Sequence, residues 1–451
     1  MYKKFTPLVI VPLLLGGCSL IPAYNRPGLP VAGRWPTGGS SKGSTEIDWK
    51  RTFNDSRLRS LVEVSLANNR DVRIAALNVE QARAQFRIQR SSELPNLGLS
   101  ATGTRQHIGG TDVRSYEVGV GVTSYELDLF GRVRSLSKAA LEQYLASDEA
   151  RRGVQLSLVS EVATQYLTER ALLDEIALSE QTLAAVGKTY DLINQRFTAG
   201  DASDLDVQSV NIQVQTAKAN LAAYHQQLDQ TRNALTLLSG SAIPASLPGG
   251  RNLDSGIIRD LSPGLPSDLL TRRPDIREAE HNLLAAHANI GAARAAFFPT
   301  ITLTGSAGTG SDSLSKLFKS GSGAWLFAPS LNLPIFDGGR NQANLDVAQV
   351  RRQIEVATYE KTIQTAFREV SDALVARRGL NDRIAATEGL VAAQNKRYSL
   401  ADARYQRGVD SYFEVLTAQQ DLYAAQQNLI QLRLARQTNL VALYKALGGG
   451  W

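Results

Sequence analysis

The residue with the clearest chemistry is Cys18, the only cysteine in the chain. It follows two glycines and an apolar run at residues 8–15, which itself begins after two lysines. A basic start, an apolar run and small residues before a cysteine are typical of a secretory signal that ends in a lipoprotein cleavage site. The pattern predicts removal of residues 1–17 and acylation of Cys18, where each buried methylene adds about 0.8 kcal/mol to membrane attachment.

The alternative for Cys18 is a free or disulfide-bonded thiol. A lone cysteine in an exported chain cannot form an intramolecular disulfide, so lipid attachment is favoured. Ser19 stands where a signal for retention in the inner membrane would have aspartate, which favours the outer membrane.

Acidic residues cluster at two breaks in otherwise helix-permissive sequence, one after Gly200 and one after Gly408. They are Asp201, Asp204 and Asp206 in the first break and Asp410 and Glu414 in the second. Carboxylates gathered in a narrow aperture attract cations. Aspartate is also common in turns and at helix N-caps, and this local explanation is favoured for Asp201 and Asp204.

Other chemical signals are weak, and together they predict that the protein is not an enzyme and binds no cofactor. His281 and His287 are six residues apart, which puts them on different helix faces and predicts no metal site. No phosphate-binding loop occurs, and the serine motif at residues 39–43 lies in a Gly/Ser linker. The net charge of +6 is spread along the chain without a basic block, so no nucleic-acid partner is expected.

The elements that would position these residues form a tandem repeat. Arg132, Arg196 and Gly200 recur 208 residues later as Arg340, Arg404 and Gly408. The predicted organisation is a signal peptide at 1–17, a lipid-anchored extended segment at 18–60, a first repeat at 61–240, a connector at 241–268 and a second repeat at 269–451.

Each repeat begins with a helix, at 57–93 and 267–297, and continues with two strand-like segments. Apolar residues alternate with polar or small ones at 114–122, 301–306 and 325–335. These lengths suit tilted strands that cross a bilayer, although soluble strands with one buried face would alternate in the same way. After the signal no run of eighteen apolar residues occurs, so strands would have to do any spanning.

Long proline-free helices follow the strands, predicted at 133–198 and 205–238 and again at 342–406 and 411–447. A helix of about 65 residues is roughly 100 Å long and needs partners along its length. Four strands per chain are too few for a closed membrane barrel, since known barrels begin at about eight. The chain must therefore oligomerise, and the periodicity leaves two or three copies open.

Several long motifs resemble one known family. They are the LGGC box at 15–18, YELDLFGR at 125–132, LLTRRPDI at 269–276, ANIGAARAAFFP at 288–299 and LYKALGGGW at 443–451. The sequence resembles the outer-membrane factor lipoproteins of resistance–nodulation–division (RND) efflux systems, relatives of the TolC channel.

The resemblance implies an α+β membrane protein, a homotrimer whose twelve-stranded outer-membrane β-barrel continues into a long periplasmic α-helical barrel. It implies a passive exit duct for drugs and other amphiphilic toxic compounds, anchored by lipid in the outer membrane. The implied partners are a periplasmic adaptor protein and an inner-membrane RND transporter.

The resemblance also places the two helix breaks at the periplasmic tip, where the entrance closes. The predicted gate residues are Asp204, Asp206, Asp410, Phe413, Glu414 and Thr417. Where the family often has an aspartate and an arginine, this chain has Thr417 and Gln420, which favours an apolar ring of Phe413 over a charged lock. Arg404 and Tyr405 are expected either to tie neighbouring helices by hydrogen bonds or to pack as ordinary surface residues.

Three alternatives to the drug duct remain at this level. A periplasmic coiled-coil scaffold or adaptor lipoprotein would share the helices but lack strands with an apolar face. A channel of the same family could export copper or silver ions, although four histidines and one cysteine offer few soft ligands. An enzyme on a lipid anchor would need a catalytic set, and the sequence offers none.

Overall fold

The computed structural model describes residues 19–36 and 47–450. Within these residues the helices and strands, in chain order, are α1 (Trp49–Thr52), α2 (Ser56–Asn68), α3 (Arg70–Ser91), β1 (Leu97–Ile108), β2 (Thr111–Leu127), α4 (Arg132–Ala199), α5 (Asp204–Ser239), α6 (Leu269–Arg272), α7 (Pro274–Ala295), β3 (Thr300–Ser311), β4 (Gly323–Asn332), α8 (Arg340–Gln406) and α9 (Tyr412–Ala446). Short 3-10 helices occur at Pro266–Asp268 and Leu314–Lys316.

The four long helices α4, α5, α8 and α9 are confirmed, and each end lies within two residues of its predicted position. The predicted boundaries of the repeats and the connector stay predictions. One part of that organisation is corrected, because the segment at 18–60 is not extended throughout. It contains α1 and the first residues of α2, each begun by an aspartate whose side chain accepts hydrogen bonds from the first turn.

Two predicted helices are interrupted. The helix expected at 57–93 breaks at Asn69, whose side-chain oxygen accepts from the N–H groups of Asp71 and Val72 at 2.9 and 3.1 Å. Asn69 thereby ends α2 and caps α3. The helix expected at 267–297 breaks before Pro274, because proline disfavours helical geometry in the residue that precedes it. Arg273 accordingly has φ −77° and ψ 120°.

The chain forms two compact units. The described residues of the first unit run up to Gly28 and include Leu77–Glu149 and Glu278–Lys361. This unit contains one antiparallel sheet in the order β1-β2-β3-β4, with each strand paired to the next along the chain. The β1–β2 hairpin turns at Gly109 and Gly110, where φ values of +58° and +85° require glycine. Strand β4 ends at Asn332, short of the predicted 335, and Pro334 follows without an N–H to donate.

The two faces of the sheet differ in chemistry. Side chains that share one face through the strand register are Leu97, Leu99, Ala101, Val118, Val120, Val122, Trp325, Phe327 and Leu331, and we call this the apolar face. The opposite face, called the polar face, includes Ser100, Thr102, Thr104, Gly119, Gly121, Ser306, Gly308 and Ser330. The apolar face is open in the single chain, since Trp325 is 80% exposed and Leu99 77% exposed.

Glycines on the polar face let β2 and β3 approach very closely. A Cβ atom on Gly121 would lie 2.5 Å from the carbonyl oxygen of Gly305, and one on Gly308 would overlap the carbonyl oxygen of Val118. Because these Cβ atoms would point toward the polar face, the neighbouring backbone must curl toward that face. The polar face is therefore the concave side of the sheet.

The described residues of the second unit come from Leu29–Ala76, Ala150–Arg277 and Thr362–Trp451. Its main core gathers fully buried side chains from the α1–α2 junction, α2, α4, α9 and the connector, among them Phe53, Leu58, Tyr166, Ile257 and Tyr444. Arg273 is also buried here and donates to Glu369 at 2.7 Å and to the Ala446 carbonyl at 3.0 Å. This arginine joins α8 and α9 to the start of α7.

Candidate functional site

Each pair of long helices is joined by a short loop with a glycine at or near its start, and the two loops share one backbone hydrogen-bond pattern. Gly200 follows α4 with φ +85°, and Gly408 follows α8 with φ +72°. In the first loop the Asp201 N–H donates to the Arg196 carbonyl at 2.8 Å, and the second loop repeats this bond at 3.0 Å. Such a left-handed glycine cap satisfies carbonyls that a helix end leaves unpaired, so glycine is required at both positions.

The two loops lie side by side against a small apolar core that we call the tip cluster. Its buried members are Ile193, Val207, Val210, Tyr412, Val415 and Leu416. Burial raises the pKa of Tyr412 to about 12. The structure thus brings together two helix breaks that stand 208 residues apart in the sequence, and both contribute to one packed end of the second unit.

Arg404 closes its own loop. Its Nε and Nη2 atoms donate to the two carboxylate oxygens of Asp410 at 2.5 and 2.9 Å, a bidentate pair. This hydrogen bonding lowers the pKa of Asp410 and raises that of Arg404. Within the chain, Arg404 therefore stabilises the α8–α9 loop rather than tying neighbouring helices, and the charge of Asp410 is balanced locally.

The tie between neighbouring helices is made by Tyr405 and Arg196. The Arg196 guanidinium donates to the Tyr405 hydroxyl at 2.7 Å and lies 5.3 Å from the centre of that ring. Arg196 is the repeat counterpart of Arg404, but the position that answers Asp410 is Ala202 in the first loop. With no carboxylate at that position, Arg196 reaches the other loop instead. The repeat offset was the sequence signal that could have identified Arg196, which was not among the predicted site residues.

The acidic residues of the first loop have local roles. Ser203 is the N-cap of α5, and the Asp206 carboxylate accepts from the Ser203 N–H at 3.0 Å in a capping box. Asp204 accepts from Gln208 at 3.2 Å. The capping function belongs to Ser203 and Asp206 rather than to Asp201 and Asp204. After the second loop, Glu414 in the first turn of α9 is exposed.

Apolar side chains outside the tip cluster occupy equivalent positions just after the two loops. Phe413 is 67% exposed in the first turn of α9, and its counterpart Leu205 is 76% exposed in the first turn of α5. Thr417 lies one turn below Phe413, and its hydroxyl donates to the Phe413 carbonyl at 2.9 Å. Phe413 was predicted from the sequence and Leu205 was not, although the repeat offset of 208 residues relates the two positions.

Cys18 lies outside the described residues, but the segment that follows it is fixed to the first unit. We call residues 19–26 the N-terminal strap, which lies along α7 in the opposite direction. The Pro22 carbonyl lies 2.8 Å from His287 Nε2, and Arg26 donates to Glu280 at 2.5 Å. Burial, followed by the charge of Glu280, raises the pKa of Tyr24 to about 12.

Gly291 makes room for this strap. A Cβ atom there would lie 2.5 Å from Ile21 Cγ1 and 2.7 Å from Ser135 Oγ. Gly291→Ala should therefore displace the strap and cost about 1–3 kcal/mol, the usual range for overpacking. Hydrogen–deuterium exchange of the peptide covering residues 19–26 should accelerate. The control is Gly153→Ala in α4, where a Cβ atom would meet nothing within 4 Å; equal exchange in both variants would contradict the prediction.

The histidines are engaged in separate contacts. His281 Nδ1 lies 2.7 Å from Glu142, whereas His287 binds the strap. The part of the chain that the structure describes contains no group of three or more His, Cys, Asp or Glu side chains placed to hold a metal ion. Nor, within residues 19–36 and 47–450, is any helix long and apolar enough to cross a membrane.

Comparison with known proteins identifies the family. The outer membrane efflux protein profile matches residues 61–241 and 265–449. The chain is 46% identical to the toluene efflux pump outer membrane protein TtgC and to the antibiotic efflux pump outer membrane protein ArpC, both of Pseudomonas putida, and each match covers 100% of this chain and 96% of the relative. The open state of the MtrE outer membrane channel of Neisseria gonorrhoeae matches with a TM-score of 0.89 and 42% identity, over 96% of this chain and 98% of that structure.

TtgC and ArpC are outer membrane proteins of efflux pumps, and MtrE is an outer membrane channel. The matches extend over nearly the whole chain and include both pairs of long helices and all four strands. The chain is an outer-membrane efflux component and belongs to the outer membrane efflux protein family.

Proposed function

We propose that three copies of this chain assemble into one passive exit duct, with a twelve-stranded barrel in the outer membrane and a helical barrel in the periplasm. The proposal rests on the unpaired edges and the uncovered apolar face of the sheet. Within the described chain, strands β1 and β4 are edges, and the apolar face has no cover. In lipid every backbone N–H and C=O must be paired, so edge strands must join those of other copies.

The curvature of the sheet supports the same assembly. Its concave side is polar and rich in glycine, serine and threonine, while its convex side carries Trp325, Phe327 and Leu331. A membrane barrel needs this distribution, with water inside and lipid outside. We therefore assign the apolar face to lipid and the polar face to the lumen.

Cysteine pairs test the closure of the barrel. Because Cys18 is the only native cysteine and acylation would block it, introduced thiols report cleanly. Thr102→Cys on β1 should form an interchain disulfide with one of three partners on the polar face of β4: Leu326→Cys, Ala328→Cys or Ser330→Cys. Non-reducing electrophoresis should show disulfide-linked dimers and trimers and no larger species. The control is Phe327→Cys, which lies on the opposite face; a soluble, detergent-independent monomer without disulfides would refute the proposal.

The proposed cargo consists of solvents, antibiotics and other amphiphilic toxic compounds, because TtgC belongs to a toluene efflux pump and ArpC to an antibiotic efflux pump. The proposed partners are a periplasmic adaptor and an inner-membrane RND transporter, because the described chain has no nucleotide-binding loop to supply energy. In a strain that lacks its own outer-membrane channel, the chain should restore resistance to toluene and antibiotics only when the adaptor and transporter are present.

We further propose that Cys18 is acylated and that the strap holds this anchor beside α7. The strap contacts α7 near its C-terminal end, where the Leu20 carbonyl accepts from Arg294, and strand β3 begins six residues later at Thr300. An acyl chain on Cys18 would therefore start close to the sheet. Cys18→Ser should remove labelling by radioactive palmitate.

The tip cluster is proposed as the periplasmic entrance. Trimerisation would place three copies of Phe413 and three of Leu205 at one level, and apolar rings close pores by excluding water. Of the second loop's acids, Asp410 is balanced by Arg404, so exposed Glu414 is the better candidate for a ring that attracts cations.

Phe413→Ala tests the apolar closure. The variant should raise the single-channel conductance of the resting channel in planar bilayers by about twofold or more, because a wider ring dewets less readily. Leu237→Ala is the matched control, since Leu237 is an exposed apolar residue of α5 far along the chain from the loop. If Phe413→Ala and Leu237→Ala conduct like the unchanged protein, Phe413 is not part of the gate.

A further inference from the structure

The β1–β2 hairpin carries a basic cluster on only one of its faces. Arg105 pairs directly with Arg114 in the strand register, and His107 pairs with Asp112. All four share the apolar face. At the same level the polar face carries Thr104, Gln106, Val113 and Ser115, none of them basic.

A single carboxylate, that of Asp112, lies close to all three basic side chains of the cluster. Asp112 accepts from Arg105 at 2.8 Å, lies 2.8 Å from His107 Nδ1 and is 3.9 Å from the Arg114 guanidinium. Like charges directly opposite each other destabilise a pair of strands. Two arginines and one aspartate leave a net positive charge, and the guanidinium groups remain open: the Arg105 side chain is 64% exposed and that of Arg114 48%. The cluster can accept a further anion.

The residues below the cluster define the shape of its ligand. Tyr116 comes next on the apolar face, and its ring lies over Gly103, where a Cβ atom would be 3.3 Å from Tyr116 Cδ1. Farther along the same face come Leu99 and Val120, which are also paired. From Arg105 to Leu99 the strand rises roughly 20 Å, so an anionic group, an aromatic ring and an aliphatic stripe follow one another in a line.

We propose that Arg105, His107 and Arg114 bind a phosphate group of an outer-leaflet lipid whose acyl chains lie on the apolar face. The site rests on the proposed assignment of that face to lipid. Guanidinium groups bind phosphate oxygens in bidentate geometry, and aromatic residues favour the boundary between headgroup and acyl chains. A free phosphate would use the cluster alone, whereas a phosphorylated lipid also uses Leu99 and Val120.

The test compares lipid retention by the purified trimer in phosphatidylcholine nanodiscs with and without diphosphorylated lipid A. Native mass spectrometry should detect retained lipid A on the unchanged protein. The double variant Arg105→Gln/Arg114→Gln should lower its affinity about thirtyfold, the contribution of two basic residues near an anionic lipid surface. The matched control, Arg83→Gln/Arg87→Gln on α3, removes the same charge elsewhere and should leave the affinity unchanged.

Asp112→Asn provides an independent test if the double variant folds poorly. It removes the competing carboxylate, so lipid A retention should rise. Unchanged retention in both variants would overturn the proposal, and so would complete displacement of lipid A by an equal concentration of inorganic phosphate. Single-channel conductance is recorded for every variant. A variant that conducts normally but loses lipid A supports the lipid site. An unchanged protein that does not conduct would instead count against the proposed duct.

Discussion

Gly308→Val should abolish the assembled, heat-resistant trimer in outer-membrane fractions. Gly308 lies on the concave face of β3, where any Cβ atom would overlap the backbone of Val118 and Gly119 on β2. The obstacle is backbone rather than a flexible side chain, so the strands must separate and their hydrogen bonds must lengthen or break. Overpacking usually costs about 1–3 kcal/mol, and this geometry places the cost at or above the upper end.

Gly310→Val is the matched control for this experiment. Gly310 lies on the same strand and the same face, but its Cβ atom would meet Ala324 Cβ at 3.5 Å, an ordinary contact. The two variants should be compared by electrophoresis of unheated and heated samples. A Gly308→Val protein that migrates as a heat-modifiable trimer would show that the close approach of β2 and β3 is not needed for the sheet.

Asp55→Ala should lower the free energy of unfolding of the second unit by about 3–5 kcal/mol, the cost of leaving buried polar groups unpaired. Asp55 is fully buried at the start of α2. One carboxylate oxygen accepts from the N–H groups of Arg57 and Leu58, while the other accepts from the Tyr166 hydroxyl at 2.9 Å and from the Arg251 N–H at 2.7 Å. Removing this carboxylate leaves four donors without their acceptor, and the contacts to the Leu58 N–H and the Tyr166 hydroxyl are fully buried.

The control for Asp55→Ala is Asp48→Ala. Asp48 caps α1 through the Lys50 N–H at 2.9 Å but is not fully buried, so its loss should cost only about 0.5–2 kcal/mol. Guanidinium titration in detergent, followed by helical circular dichroism, measures both. Tyr166→Phe removes one of the four donors and should be non-additive with Asp55→Ala. Equal costs for the two aspartate variants would mean that Asp55 acts only as a helix cap.

The sequence predicted best what local periodicity controls. The long helices were predicted to within two residues because they contain no proline and the breaks between them fall at Gly200 and Gly408. The break at Asn69 was missed because the residues on both sides of it favour a helix. The pattern does not show that the Asn69 side chain caps the helix that follows. The end of β4 was missed because alternation continues past Pro334, whereas hydrogen bonding does not.

The contacts of the tip followed less directly from the sequence. The acidic pattern at the two loops suggested rings of carboxylates, but the structure commits Asp410 to Arg404 and Asp206 to a capping box. These hydrogen bonds depend on which side chains meet across a loop, and composition alone does not predict those contacts. The repeat offset did contain part of the answer, because the exchange of Asp410 for Ala202 explains why Arg196 turns to Tyr405.

The N-terminal strap has a consequence for the order of folding. Residues 19–26 are synthesised well before their partners on α7, which stand more than 250 positions later, as in the pairs Arg26–Glu280 and Pro22–His287. Closing so long a loop is entropically costly and slow, and it must await a finished α7. We therefore expect docking of the strap to be among the last steps of folding. Protection of residues 19–26 from hydrogen exchange should then indicate that the rest of the chain has folded.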